Sequence, residues 1–181
     1  MSWHDDYVVD VEYTDPLMPW LNPARLSLTC VLNGQPPLPS TRPLVWAELG
    51  CGNGLQACAV AAGDPTMQVW ACDFNPVHVE RARRRAELAG LDNCTFEEAS
   101  FQQLIDDPSI GPPQVDVVVA HGVFTWVSKH NQALIGEFIR HRLRPGGVVY
   151  VSYSVSTGWS SISPLAETMR LHASASRLRS D

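Results

Sequence analysis

The chain has 181 residues, enough for one domain with a sizeable core. Its composition, 45% hydrophobic and 18% charged, is that of an ordinary soluble globular protein, and a net charge of −6 argues against nucleic acid as the main partner. No apolar run approaches the ~18 residues of a membrane span, no signal peptide is legible, and the five cysteines (Cys30, Cys51, Cys58, Cys72, Cys94) lack Cys-x-x-Cys spacing, so they read as reduced thiols of a cytoplasmic protein.

Residues 1–22 are rich in aromatics and acids without a clear period, which predicts an irregular arm. Asn22-Pro23 is a helix start, with Asn22 as cap and proline in the first turn. That helix should stop near Gly34, and the proline-rich residues 35–43 read as a linker. The arm and its helix are expected either over the mouth of a ligand site or simply packed on the surface. From Leu44 the alternation becomes regular. Strands are predicted at 44–49, 67–73, 94–98, 115–120 and 148–154. Helices are predicted at about 54–62, from Asn75-Pro76 to before Gly90, and after Ser128, where Leu134, Ile135, Phe138 and Ile139 recur at helical spacing. The run Val115 to Ala120 is nearly unbroken apolar, as in a central strand covered on both faces. Alternating strands and helices demand a parallel sheet with right-handed crossovers. The predicted fold class is therefore α/β, a Rossmann-like doubly wound sheet of strand order 3-2-1-4-5, with ligand at the carboxyl ends where the order reverses. This divides the chain into an arm, helix and linker (1–43), a nucleotide-binding unit (44–154) and a tail with a short helix opened by Ser163-Pro164 (155–181).

The unit is organised around Pro43 to Ala57. An apolar run is cut off by Gly50, Gly52 and Gly54, and a helix-forming segment follows at once. Strand, glycine turn and helix make a nucleotide-binding layout, in which glycine permits sharp bends and close backbone approach. Glu48, two residues before the first glycine, decides the ligand. A pyrophosphate cradle has no use for a carboxylate there, whereas a ligand with a cationic amino-acid end does.

The pattern Glu48-x-Gly50-x-Gly52-x-Gly54 resembles the first motif of the class I S-adenosylmethionine-dependent methyltransferases. Trp70-Ala71-Cys72-Asp73 is similar to their second strand and its terminal acid. Leu143-Arg144-Pro145-Gly146-Gly147 is similar to the turn into their fifth strand. Order and spacing agree over Leu44 to Tyr153, about 110 of the 181 residues. The family carries two further strands, and no strand pair fits the residues after Ser154. The resemblance thus implies an incomplete sheet lacking the sixth and seventh strands, at the front of a longer protein. Strand five would then be a sheet edge open to self-association unless the tail covers it. More narrowly, Trp3 to Thr14, His121 to Ser128 and Ser152 to Trp159 resemble a bacterial branch in which the methyltransferase domain precedes a methyltransferase regulatory domain. Some members of that branch methylate protein lysine.

The resemblance implies S-adenosyl-L-methionine as cofactor. It assigns Gly50, Gly52 and Gly54 to the methionine part through their backbone amides, Glu48 to its ammonium, and Asp73 to the ribose hydroxyls. Phe74 is then placed against adenine or in the core. Ser100 and Phe101 stand where the family often has an adenine-reading acid, and His121 lies beside the methyl group as base, cofactor contact or spacer. Glu48 also reads as a structural acid. Methyl transfer is an in-line displacement that needs positioning, a dry pocket, and a base only if the acceptor must lose a proton. For a lysine acceptor the pocket must favour the neutral amine, and aromatic walls suit this while also facing a cation. Phe124, Trp126, Tyr153 and Trp159, on the loops after strands four and five, are the substrate-pocket candidates. His121 and Tyr153 are the catalytic candidates, each also readable as ordinary packing.

Other features carry less. Arg81, Arg83, Arg84 and Arg85 read as a solvated helix face rather than an anion patch. The remaining histidines show no ligand spacing, so no metal is expected. Two competing functions stand beside the methyltransferase. One is a nicotinamide-dependent oxidoreductase, since Gly52-x-Gly54-x-x-Ala57 fits the looser dinucleotide fingerprint; Glu48 and the Pro-Gly-Gly turn weigh against it. The other is a truncated or degenerate domain that binds cofactor or a partner without turnover.

Overall fold

The computed structural model describes residues 17–177. The aromatic and acidic residues 1–16 of the expected arm lie outside the described residues. A 3-10 turn, Pro19–Leu21, leads into helix α1, Pro23–Leu32, where the Asn22 side chain accepts from the Ala24 amide at 2.9 Å. There follow β1 (Val45–Leu49), α2 (Leu55–Gly63), β2 (Gln68–Asp73), α3 (Pro76–Leu88), β3 (Cys94–Glu98), α4 (Phe101–Asp106), β4 (Val115–Ala120), α5 (Lys129–Arg142), β5 (Leu143–Val151), α6 (Ser156–Trp159) and α7 (Ser163–Arg177). Caps expected from sequence are in place: Asn75 accepts from the Val77 amide and Ser128 from the Asn131 amide. Each satisfies a donor that the first helical turn leaves without an internal partner.

All pairings are parallel, in the order β3-β2-β1-β4-β5. β1 is central, and the order reverses between β1 and β4. Every residue of β1 and β4 is buried, because helices cover both faces. One face buries Trp46, Val69, Ala71, Val117 and Val119 beneath α2 and α3, with Leu21 and Leu26 from the lead-in segment. The other buries Ala47, Leu49, Trp70, Cys72, Val118 and Ala120 beneath α4 and α5. There the rings of Trp70 and Phe138 stack at 6.0 Å, tilted only 12°.

β5 departs from expectation at both ends. Its register with β4 jumps from Val115↔Leu143 to Val117↔Val148, so the expected turn at Arg144–Gly147 is a bulge inside the strand. Gly147 must be glycine, since a Cβ would stand 2.8 Å from the Asp116 carbonyl and 2.9 Å from that of Arg144. The bulge brings Arg144 onto Asp116, a carboxylate within the apolar run of β4. At its other end the strand stops at Val151. The Ser152 hydroxyl accepts from the Gly122 amide at 2.7 Å and the Ser154 amide donates to the Thr125 hydroxyl at 2.7 Å, which ties this segment to the loop after β4. β5 pairs only with β4 among the described residues. The described side chains of α7 are exposed, Leu165 and Met169 included, so this helix does not supply the expected cover. No described helix is long and apolar enough to cross a membrane.

Candidate active site

The glycine turn bridges β1 and α2 with positive φ at Gly50 (71°), Gly52 (52°) and Gly54 (72°). The amides that the resemblance assigns to the methionine part of the cofactor have partners within the protein. Those of Gly50 and Cys51 both donate to the Cys72 carbonyl (2.8 and 3.0 Å), that of Gly52 to Asp73 Oδ2 (2.9 Å), and that of Gly54 to the Cys51 carbonyl (3.0 Å). The amides of Gly50, Cys51 and Gly52 thus fold the turn onto the end of β2, while that of Gly54 closes the turn on itself. What the glycines provide is room. A Cβ on Gly50 would lie 2.6 Å from Val123 Cγ2, in the loop after β4, so this position sets how closely the two sides of the cleft approach.

Glu48 lies in β1 just before the turn, 5% exposed, and its Oε2 is buried without a hydrogen-bond partner. Burial, with the nearby Cys58 as a lesser cause, pushes its carboxyl up to about 8 from an ordinary 4.5. An uncompensated buried acceptor costs free energy until a donor arrives, and a cationic donor satisfies a carboxylate most strongly. The amino-acid ammonium of S-adenosylmethionine fits this requirement. Asp73, at the end of β2, is buried; Oδ2 accepts from Gly52 and Oδ1 from the Asn75 amide at 2.9 Å, with His78 Nδ1 at 3.3 Å. Phe74 is half-buried beside it.

Ser100 and Phe101 stand at the start of α4, a helix the sequence reading did not anticipate. The Ser100 hydroxyl accepts from the Gln103 amide and donates to its Oε1, while Gln103 Oε1 also accepts from the Ser100 amide, a capping box. The Phe101 side chain is buried in the core. Ser100 is therefore first a helix cap.

His121 follows β4, on the other side of the strand-order reversal from the glycine turn. Its Nδ1 is buried without a partner, burial lowers its pKa below 6.5, and its ring lies 5.8 Å from that of Tyr150, tilted 34°. The imidazole is thus neutral near pH 7. Of the aromatic candidates, Phe124 packs against the core, while Trp126, Tyr153 and Trp159 are 58%, 66% and 46% exposed. The bond between Ser154 and Thr125 links the loops bearing Tyr153 and Trp126.

Sequence reasoning missed several polar anchors. Arg81, Arg83 and Arg84 are exposed, as a solvated helix face requires, yet Arg83 Nε and Nη2 also donate to the Phe96 carbonyl, and the half-buried Arg85 donates through Nη1 to that of Asn53. Trp20 and Tyr150, 130 residues apart, are joined by an indole–phenol bond. No local pattern announces such a pair.

The methyltransferase-domain family matches this sequence over residues 47–147. An uncharacterized protein of Synechocystis is 35% identical over 169 residues, covering 93% of this chain and 33% of that protein. Escherichia coli tRNA 5-carboxymethoxyuridine methyltransferase is 30% identical over 106 residues, 58% of this chain and 39% of that enzyme. PKMT2 from Rickettsia typhi, solved in complex with AdoHcy, superposes with a TM-score of 0.80 at 28% identity, covering 90% of this chain and 30% of that one. The chain thus spans about a third of the length of these relatives. With the glycine turn, the strand order and the buried acid at the end of β1, it belongs to the methyltransferase-domain family, in the class I branch that uses S-adenosylmethionine.

Proposed function

We propose that this chain is the cofactor-binding part of a methyltransferase acting on protein lysine, working in the cytoplasm, with its site in the cleft between β1 and β4. The buried, unpartnered Oε2 of Glu48 carries the cofactor reading. The likeness to PKMT2 supports the acceptor. Glu48 would hold the ammonium, Gly50, Gly52 and Gly54 would shape the wall along the methionine chain, and Asp73 would hold the ribose hydroxyls. Phe74, Ser100 and Phe101 would border the adenine, and His121 would stand at the methyl end. The bound cofactor supplies a sulfonium methyl open to in-line displacement. The chain's own residues would do the rest: they would orient the acceptor and exclude water, and the neutral His121 imidazole would take up a proton leaving an amine.

Titration with S-adenosylhomocysteine tests this. Asp73→Ala should weaken binding roughly 30- to 150-fold, from the loss of roughly 2–3 kcal/mol of charge-assisted hydrogen bonding. Part of that loss arises because the Gly52 amide also gives up its acceptor. Unchanged affinity would put the ribose elsewhere.

Glu48 makes binding depend on pH. The free protein holds a proton on Glu48 up to about 8, and an ammonium partner would drive that proton off. Affinity should therefore rise about tenfold per pH unit below 8 and level off above it. In the free protein the sign for stability is opposite. A carboxyl raised from 4.5 to about 8 favours the fold below 4.5, and that contribution fades as pH climbs to 8. Glu48→Gln should bind weakly at every pH and flatten both curves. A wild-type affinity independent of pH between 6 and 8 would remove Glu48 from the site.

A second reading, a domain that binds cofactor without turnover, is favoured by the exposure of Trp126, Tyr153 and Trp159, which form no closed wall. Labelled methyl transfer from this chain to cell-envelope protein would exclude it.

A further inference from the structure

The 3-10 turn Pro19–Leu21 is fastened at two places that bracket the cleft. The Met18 amide donates to Oε1 of Gln56, in the first turn of α2, at 2.9 Å. Trp20 Nε1 donates to the Tyr150 hydroxyl on β5 at 3.2 Å. Between them Leu21 is fully buried against the sheet. Trp20 itself is 48% exposed, so a ring of this size is not held mainly by burial; its polar bond aims it. Tyr150 sits opposite Val119 in the β4–β5 ladder, and its ring backs the imidazole of His121. The chain that precedes the sheet is thereby linked, through one hydrogen bond and one ring contact, to the only described histidine whose ring carries a buried, unpartnered nitrogen.

We propose that Trp20 and Tyr150 are positioning residues for His121: the indole–phenol bond fixes the Tyr150 ring, and that ring holds the imidazole with Nδ1 turned inward. The inference rests on the reading that His121 borders the methyl-transfer site, and it adds that the lead-in turn sets the orientation of that residue. Tyr150 is the titratable group against the imidazole, and burial alone depresses the His121 pKa. Loosening the ring toward water should therefore raise it.

The test is the His121 titration followed by NMR in the full chain, in Trp20→Phe, Tyr150→Phe and the double variant. Both substitutions keep a ring and remove one partner of the bond. Each single variant should shift His121 upward toward 6.5, and the double variant no further, because both delete the same interaction. The ring signals of His130, which contacts Gln102 on another face, should not differ between variants. A role confined to packing would lower the melting temperature without moving His121 selectively. An unmoved His121 in Trp20→Phe, or shifts that add in the double variant, overturns the proposal, and Trp20→Phe alone decides if Tyr150→Phe fails to fold. S-adenosylhomocysteine titrated into the same samples reports separately on the cofactor reading. Absence of binding to the unaltered protein would sink that reading and leave the His121 result standing.

Discussion

Asp116→Ala should lower the unfolding free energy by about 3–5 kcal/mol, read as a fall in the urea midpoint. The carboxylate is 1% exposed and inside the sheet. It accepts from Arg42 Nη1 and Nη2 in the linker, from Arg144 Nη1 at 2.9 Å in the β5 bulge, and from the Val45 amide at 2.9 Å. Removing it takes the shared acceptor from two guanidiniums, which keep only the Pro43 carbonyl and Gln114 Oε1, and from a backbone donor. Arg42 and Arg144 side chains are 40% and 28% exposed and recover some hydration, which favours the lower end of the range. Asp116→Asn, which keeps one acceptor oxygen, should cost less. Burial pushes the Asp116 pKa up, but the bonds from Arg42, Val45 and Arg144 together outweigh it and hold the group below its ordinary 3.8. This stabilisation is present above 3.8 and disappears as pH falls through the lower folded value. An unchanged midpoint in Asp116→Ala would mean that these three elements are held by packing alone.

The second large effect belongs to Gly54. An added Cβ would meet Ala82 Cβ at 2.5 Å and the Phe96 ring at 2.7 Å, and φ is +72°. Neither neighbour is the tip of a flexible side chain, since Ala82 is fully buried on α3 and Phe96 is fixed in β3. Overpacking costs about 1–3 kcal/mol and the left-handed backbone about 1–2 more. Gly54→Ala should therefore be among the most destabilising methyl additions to this chain, and it should shift the glycine turn enough to abolish S-adenosylhomocysteine binding. Gly136→Ala is the contrast. Nothing lies within 4 Å of its Cβ, the site is within α5, and a gain of about 0.5–1 kcal/mol is expected. Melting curves of the two variants, with wild-type behaviour in Gly54→Ala, would refute the steric account.

What the sequence revealed and what it hid follow from locality. Strands β1 and β4 were legible because both their faces are apolar, and the caps at Asn22, Asn75 and Ser128 because each acts within two or three residues. Helix α4 was hidden although Ser100 and Gln103 have capping-box spacing. Its six residues are too few for a periodic signal, and Ser100 was read as a ligand contact. In the tail the sequence predicts only a short helix opened by Ser163-Pro164. Instead α7 runs Ser163–Arg177, where alanine's high helix propensity outweighs the serines. Asp116 was passed over inside an apolar run because its partners come from residues 42, 45 and 144. The partners of the Gly50 and Gly52 amides were hidden for a similar reason: the end of β2 that accepts from them lies about twenty residues away.

The reversal of strand order has a consequence for folding. It divides the sheet into two windings, β1 to β3 and β4 to β5, joined along the β1–β4 ladder. Glu48 and Asp73 belong to the first, His121 and Tyr150 to the second. A cofactor held as proposed would act as a tether across a seam and add little inside either winding. The openings it suppresses first are those that part β1 from β4, so amide exchange along Trp46–Glu48 and Val117–Val119 should slow before that of the outer strands. Occupancy and the docking of the two windings would then be a single equilibrium, in which the small molecule contributes a share of the cohesion between halves of the chain.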